Sequence, residues 1–228
     1  MKKVSLLSMT AAFAVGSVAA AQGNPFLGFD GIIGSYSDGG TDYTIIEMFA
    51  VYSADSGTVT GLNTFEMDVF TSDGLGFNQS DTAFGTGGSF NPASTVDIPG
   101  FANSLIDSYV ALGSGSVALD PGFGDGSGTS IPSGAGWYNG NPAVPATASP
   151  FTGEVDGLDG VGIRLGQFVV DSQRVVGDWT FTFSGQMGSS DSSGDVFFGE
   201  DSFVYAVPAP GALALLGLGG LVARRRRA

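Results

Sequence analysis

The sequence predicts a mainly β protein, an antiparallel β-sandwich of the jelly-roll or immunoglobulin-like kind. Three observations predict it. Apolar and polar residues alternate with period two in several stretches, clusters of Gly, Asp, Ser, Asn and Pro separate those stretches, and helical periodicity is scarce. Glycine numbers 38 in 228 residues, more than twice its usual share of ~7%, which supplies the turns.

Taken along the chain, the first strand signal is YTIIEMFAVY, from Tyr43 to Tyr52, a β-rich apolar run. Phe65, Met67 and Val69 then alternate with Glu66 and Asp68, the pattern of a half-buried strand that places all three apolar residues on the core side. From Asp73 to Pro150 the pattern is less periodic and suggests long loops with one short helix near Ile98 to Tyr109. VGIRLGQFVV, Val161 to Val170, is a second apolar β run. Trp179, Phe181 and Phe183 alternate with Thr180, Thr182 and Ser184, so Trp179 is expected in the core. SFVYAV, Ser202 to Val207, closes the series.

Charge is divided between the body and the ends. All 22 acids lie between Asp30 and Asp201, and the same span holds only Arg164 and Arg174, while Lys2 and Lys3 open the chain and Arg224 to Arg227 end it. A body of that sign repels polyanions and argues against nucleic acid as a partner. Cysteine and histidine are both absent. Disulfides, thiol nucleophiles, Cys- or His-ligated metals and His-based triads are thereby excluded, and no body lysine remains for Schiff-base chemistry. Paired carboxylates could hydrolyse glycosides, but so many acids always supply some pair.

The start has a cationic head, an apolar run from Val4 to Val18 and small residues at Ala19 and Ala21, the three parts of a secretory signal peptide over residues 1–21. Residues 22–206 are then one acidic, Gly-rich domain, large enough to bury its own core. From Gly211 to Ala223 every residue is Gly, Ala, Leu or Val, which is marginal for a spanning helix. The arginines behind it would stay cytoplasmic and leave the acidic domain outside.

Val207-Pro208-Ala209-Pro210, the ALALLGLGGL segment and Arg224, Arg225, Arg226 and Arg227 together resemble the PEP-CTERM sorting signal. The family's usual tetrad is Val-Pro-Glu-Pro, and Ala209 stands here in place of its Glu. The resemblance covers residues 207–228 only. It implies recognition and cleavage near the proline pair by an exosortase, an integral-membrane transpeptidase-like enzyme, after signal peptidase has removed the leader. It also implies a setting at the cell envelope, outer surface or extracellular matrix among exported polysaccharide. The expected protein is therefore an exported, non-enzymatic surface or matrix protein, transiently membrane-anchored through a C-terminal transmembrane helix. Two alternatives stay open: a carbohydrate- or calcium-dependent adhesive module, and a carboxylate-only glycosidase.

Two kinds of candidate site follow. In AGWYNGNP, Trp137 and Tyr138 stand beside Asn139 and Asn141, rings and amides of the sort that grip a glycan. The plainer and favoured reading has Trp137 plugging one end of the sandwich and Asn-Gly making a turn. EVDGLDG and DSSGDVFFGED offer Asp156, Asp159, Asp191 and Asp195 as weak calcium ligands, and GFGDGSGTS resembles a single unit of a calcium nonapeptide without its tandem array. Turn-forming acids that face water are the favoured reading there, and no cofactor other than calcium is suggested.

Overall fold

A computed structural model describes residues 24–80, 90, 97, 103–113, 117–119, 128–141 and 143–207. Those residues form eleven strands and three single 3-10 turns. The signal segment, the GFGDGS stretch of residues 122–127 and the tail from Pro208 onward, with its expected transmembrane helix, lie outside the described residues. Among the described residues no helix is long and apolar enough to cross a membrane.

All pairings are antiparallel and fall into two sheets. The first contains β1 (Phe26–Asp38), β2 (Thr41–Tyr52), β9 (Asp159–Asp171) and β4 (Tyr109–Val110) in that order, with β8 (Ser149–Thr152) also on β9. The second runs β11 (Val196–Ala206), β10 (Thr180–Ser190), β3 (Thr60–Thr71), β6 (Ala135–Asn139) and β5 (Val117–Leu119), with β7 (Ala146–Thr147) on β3. The β1–β2 hairpin turns on Gly39-Gly40, both at positive φ, the backbone that a two-residue hairpin loop demands. In place of a helix near residues 98–109, the described part holds one 3-10 turn, Ser104–Ile106.

The sheets pack face to face on an aromatic core. Phe29 and Phe168 from the first sheet meet Phe183 and Phe181 from the second at ring separations of 5.1 Å and 5.5 Å. Such pairs add about 0.5–1.5 kcal/mol each beyond the area they bury. Phe77 joins from the loop after β3, 5.2 Å from Phe168. On one open side the edge strands β1 and β11 are stitched by a hydrogen bond in which the Phe29 N–H donates to Asp201 Oδ2 at 2.7 Å. A carboxylate in that position also discourages edge-to-edge pairing with other chains.

One strand departs from its expected phase. Met67 and Val69 are buried as the alternation predicts, but Phe65 lies on the opposite face, half-buried against Phe198. The cause is a bulge at Glu66, whose φ of 53° makes it the only non-glycine at positive φ among the described residues. Pairing with β10 slips between Ser184 and Gln186 at the same level, and Gly185 accommodates the crowding. One extra residue reverses the facing of everything before it.

Candidate functional site

The candidate glycan cluster does not come together. Trp137 is fully buried on β6, its ring edge-on to Phe183 at 6.4 Å and its Nε1–H donating to the Ala111 carbonyl at 2.8 Å. Thr64 Oγ1 accepts from the Trp137 N–H at 3.0 Å, so ring and backbone are both held inside. A sugar cannot stack on that ring. Asn139 donates to the Val144 carbonyl and accepts from the Asn141 N–H, and Asn141 accepts from the Ala143 N–H. These amides close their own loop. Tyr138, one residue past Trp137 on a strand, necessarily faces the other way and is 45% exposed.

The acidic loops are likewise occupied. Asp30 is fully buried, and its Oδ1 accepts from the N–H groups of Gly31 at 2.7 Å, Val155 at 3.3 Å and Asp156 at 3.1 Å. Its Oδ2 accepts from Leu158 at 2.8 Å. The loop that carries Asp156 and Asp159 is thus wrapped around a carboxylate from β1. Three of its amides are spent on that carboxylate. Asp159 accepts from the Thr152 hydroxyl at 3.0 Å. The Asp156 carboxyl is held above its ordinary range, first by partial desolvation and then by the negative charges of Asp30 and Asp201. In the β10–β11 hairpin, Asp191 accepts from the N–H groups of Ser193 and Asp195, and Asp195 returns its carbonyl to the Asp191 N–H. Among the described residues no group of three or more carboxylates is placed to hold a metal ion.

Both body arginines are engaged within the fold. Arg164 pairs with Glu47 and lies over the Tyr109 ring at 5.2 Å. Arg174 forks onto Asp73 at 2.8 Å and 3.0 Å and donates to the Gly76 carbonyl. Trp179 Nε1–H also donates to Asp73, at 3.2 Å. The guanidinium beside Asp73 holds its carboxyl far below the usual carboxylate range.

What the register does assemble is a row on the outer face of the second sheet. Phe198 on β11 pairs with Gly188 on β10, Gly188 with Asn63 on β3, and Asn63 with Tyr138 on β6. Directly paired residues share a face, so four strands contribute to one line. Phe198 is 58% exposed, and Phe65 sits edge-on to it at 5.8 Å. Sequence reasoning had only Tyr138 of these. The alternation of Phe198 with Phe197 and Gly199 was a usable signal for an outward ring, whereas the bulge that moves Phe65 to the outer face had none.

Comparison with known proteins gives no relative to place beside this geometry: no family model matches the chain, and neither the curated proteins nor the solved structures return a significant match.

Proposed function

We propose that this is an exported, non-enzymatic surface or matrix protein, a β-sandwich of jelly-roll or immunoglobulin-like type that an exosortase-type enzyme sorts by its tail into a polysaccharide-rich setting. The observation that carries the reading is the three-part C-terminal pattern of proline tetrad, small apolar segment and arginine cluster. Its prolines keep the entry segment extended, as a protease-like cleft requires, and its glycines make a poor permanent span. The position of the last strand supports it. β11 ends at Ala206 and the Val207 N–H makes a closing bond to the Trp179 carbonyl, so the tetrad directly follows the last described strand.

The test is the mass and cell fraction of the mature protein in cells with and without the sorting enzyme. A product starting after Ala21 and lacking the arginines, found outside only when the enzyme is present, is the expected result. A C-terminus ending in arginine in both strains would reduce the tail to an anchor. A binding role within that setting is favoured by one feature, the exposed aromatic row on the outer face of the second sheet.

A further inference from the structure

We propose that the outer face of the second sheet, centred on Asn63 and Gly188 and framed by Phe65, Phe198 and Tyr138, binds a chain of neutral polysaccharide. The proposal rests on the reading above for where such a chain is met. The argument begins with the aromatic rings. Phe198 and Tyr138 lie three strand spacings apart, about 14 Å at the usual separation of strands. Between them the surface is low, because the middle position is a glycine. A Cβ at Gly188 would stand 2.3 Å from Asn63 Oδ1 and 3.3 Å from the Phe198 ring. Only a residue without a side chain lets the Asn63 amide lie across β10 toward that ring.

The amide itself is half-exposed and makes no hydrogen bond to any described residue, so its donor and acceptor are free for a ligand. An amide between two exposed rings offers hydroxyl-directed hydrogen bonds beside apolar faces, which is the chemistry of a pyranose chain. The bulge supplies a third ring. Glu66 holds a backbone conformation that costs a non-glycine residue stability, and the effect is to turn Phe65 out of the core and onto Phe198. A bulge that moves an aromatic from the core to the outer face, where it packs beside an exposed ring, is a device that binding surfaces use.

Charge narrows the ligand. Phe198, Asn63, Gly188 and Tyr138 are neutral, and Glu66 and Glu200 border them. The two cations among the described residues are both paired elsewhere with acids. Anionic polysaccharide, nucleic acid and anionic lipid meet no positive charge on this face and are repelled by the body. The face is the outer side of four paired strands. It fits a chain laid across the strands rather than a small sugar enclosed in a cavity.

The experiment is native gel retardation of the exported protein, purified from its own cells, in gels containing dextran, xyloglucan, galactomannan or the neutral fraction of the cells' own matrix, with alginate as the anionic comparison. At least one neutral glycan should retard the protein and alginate should not. Asn63→Ala, Gly188→Ala and the double variant Phe198→Ser/Tyr138→Ser should each weaken the apparent affinity tenfold or more, with an unchanged melting temperature for Asn63→Ala. Val204→Ser, on the same face but farther along β11, should bind as the parent does. If the double variant no longer melts cooperatively, Asn63→Ala decides, since it removes no core side chain.

The proposal fails if no neutral glycan retards the parent, if alginate retards it equally, or if Asn63→Ala binds unchanged. It also fails if the parent sediments as a dimer that the double variant converts to monomer, because the face is then an interface between two copies. Export and sorting are read separately, from mass and fraction. A glycan-retarded protein that stays inside the cell sinks the sorting reading alone, and a matrix-located protein that binds no glycan sinks this one alone.

Discussion

The two acidic loops look alike in sequence and are built in opposite ways. The 153–158 loop is organised from outside, by the buried carboxylate of Asp30 more than a hundred residues earlier, which collects three of its amides. The 191–195 turn is organised from within, by the first residue of the turn accepting from the third and the fifth. Local sequence specifies the second kind of loop and only the tertiary fold specifies the first. In the first case the residue that organises the loop sits in a strand, while the loop's own Glu154 reaches back to accept from the Ile33 N–H.

The largest expected effect tests that difference directly. Asp30→Ala leaves several buried N–H groups without an acceptor, at roughly 1–3 kcal/mol for each one that water cannot reach, and about 3–4 kcal/mol in total is expected by urea denaturation. Next comes Gly153→Ala. The new methyl would lie 1.8 Å from Asp30 Oδ2, so carboxylate or loop must move, at about 2–3 kcal/mol by the same measurement.

Asp191→Ala removes acceptors that solvent replaces, and about 0.5–1 kcal/mol is expected, the scale of a lost helix cap. A loss as large as that of Asp30→Ala would erase the distinction between the loops.

The smallest effect is also the most specific. The folded state raises the Asp156 carboxyl above its unfolded value, so the wild type loses stability as pH rises through that raised value and the aspartate ionises beside Asp30 and Asp201. Asp156→Asn should therefore match the wild type below about pH 4, near the unperturbed carboxyl value, and exceed it slightly at neutral pH. Melting curves across that range check the sign. A variant less stable at neutral pH would mean that the charge is used rather than endured.

The same contrast between local and distant causes explains how far the sequence could be read. Strands β2, β9, β10 and β11 were legible because their alternation or apolar runs survive intact, and Trp179 is buried in phase with Phe181 and Phe183 as expected. Strand β1 was hidden by its own glycines and by Asp30. Four consecutive residues, Gly28 to Gly31, are buried there because side chains from other strands lie over the glycines, and no period-two pattern can show that. Trp137 and Tyr138 were read together as neighbours in a loop, and a five-residue strand sends them to opposite faces. Phe65 was misplaced by a single bulge. The candidate site was therefore legible in one residue, Tyr138, while its partners depended on register across four strands.

The closing bond from the Val207 N–H to the Trp179 carbonyl has a consequence for posture. Three residues, Pro208 to Pro210, separate it from the apolar stretch that begins at Gly211, and fully extended they span about 10 Å at most. Under the sorting reading that is a short leash, comparable to the headgroup layer of a bilayer leaflet, which is roughly 5–8 Å deep. The uncut molecule would stand with the Trp179 end down and β11 rising away from the lipid. The aromatic row would then form part of an upright wall open to whatever polymer fills the space outside, and the cutting enzyme would have to work in the shadow beneath the domain. Lengthening the leash with a Gly-Ser insert after Val207 should hasten the cut and leave the wall unchanged.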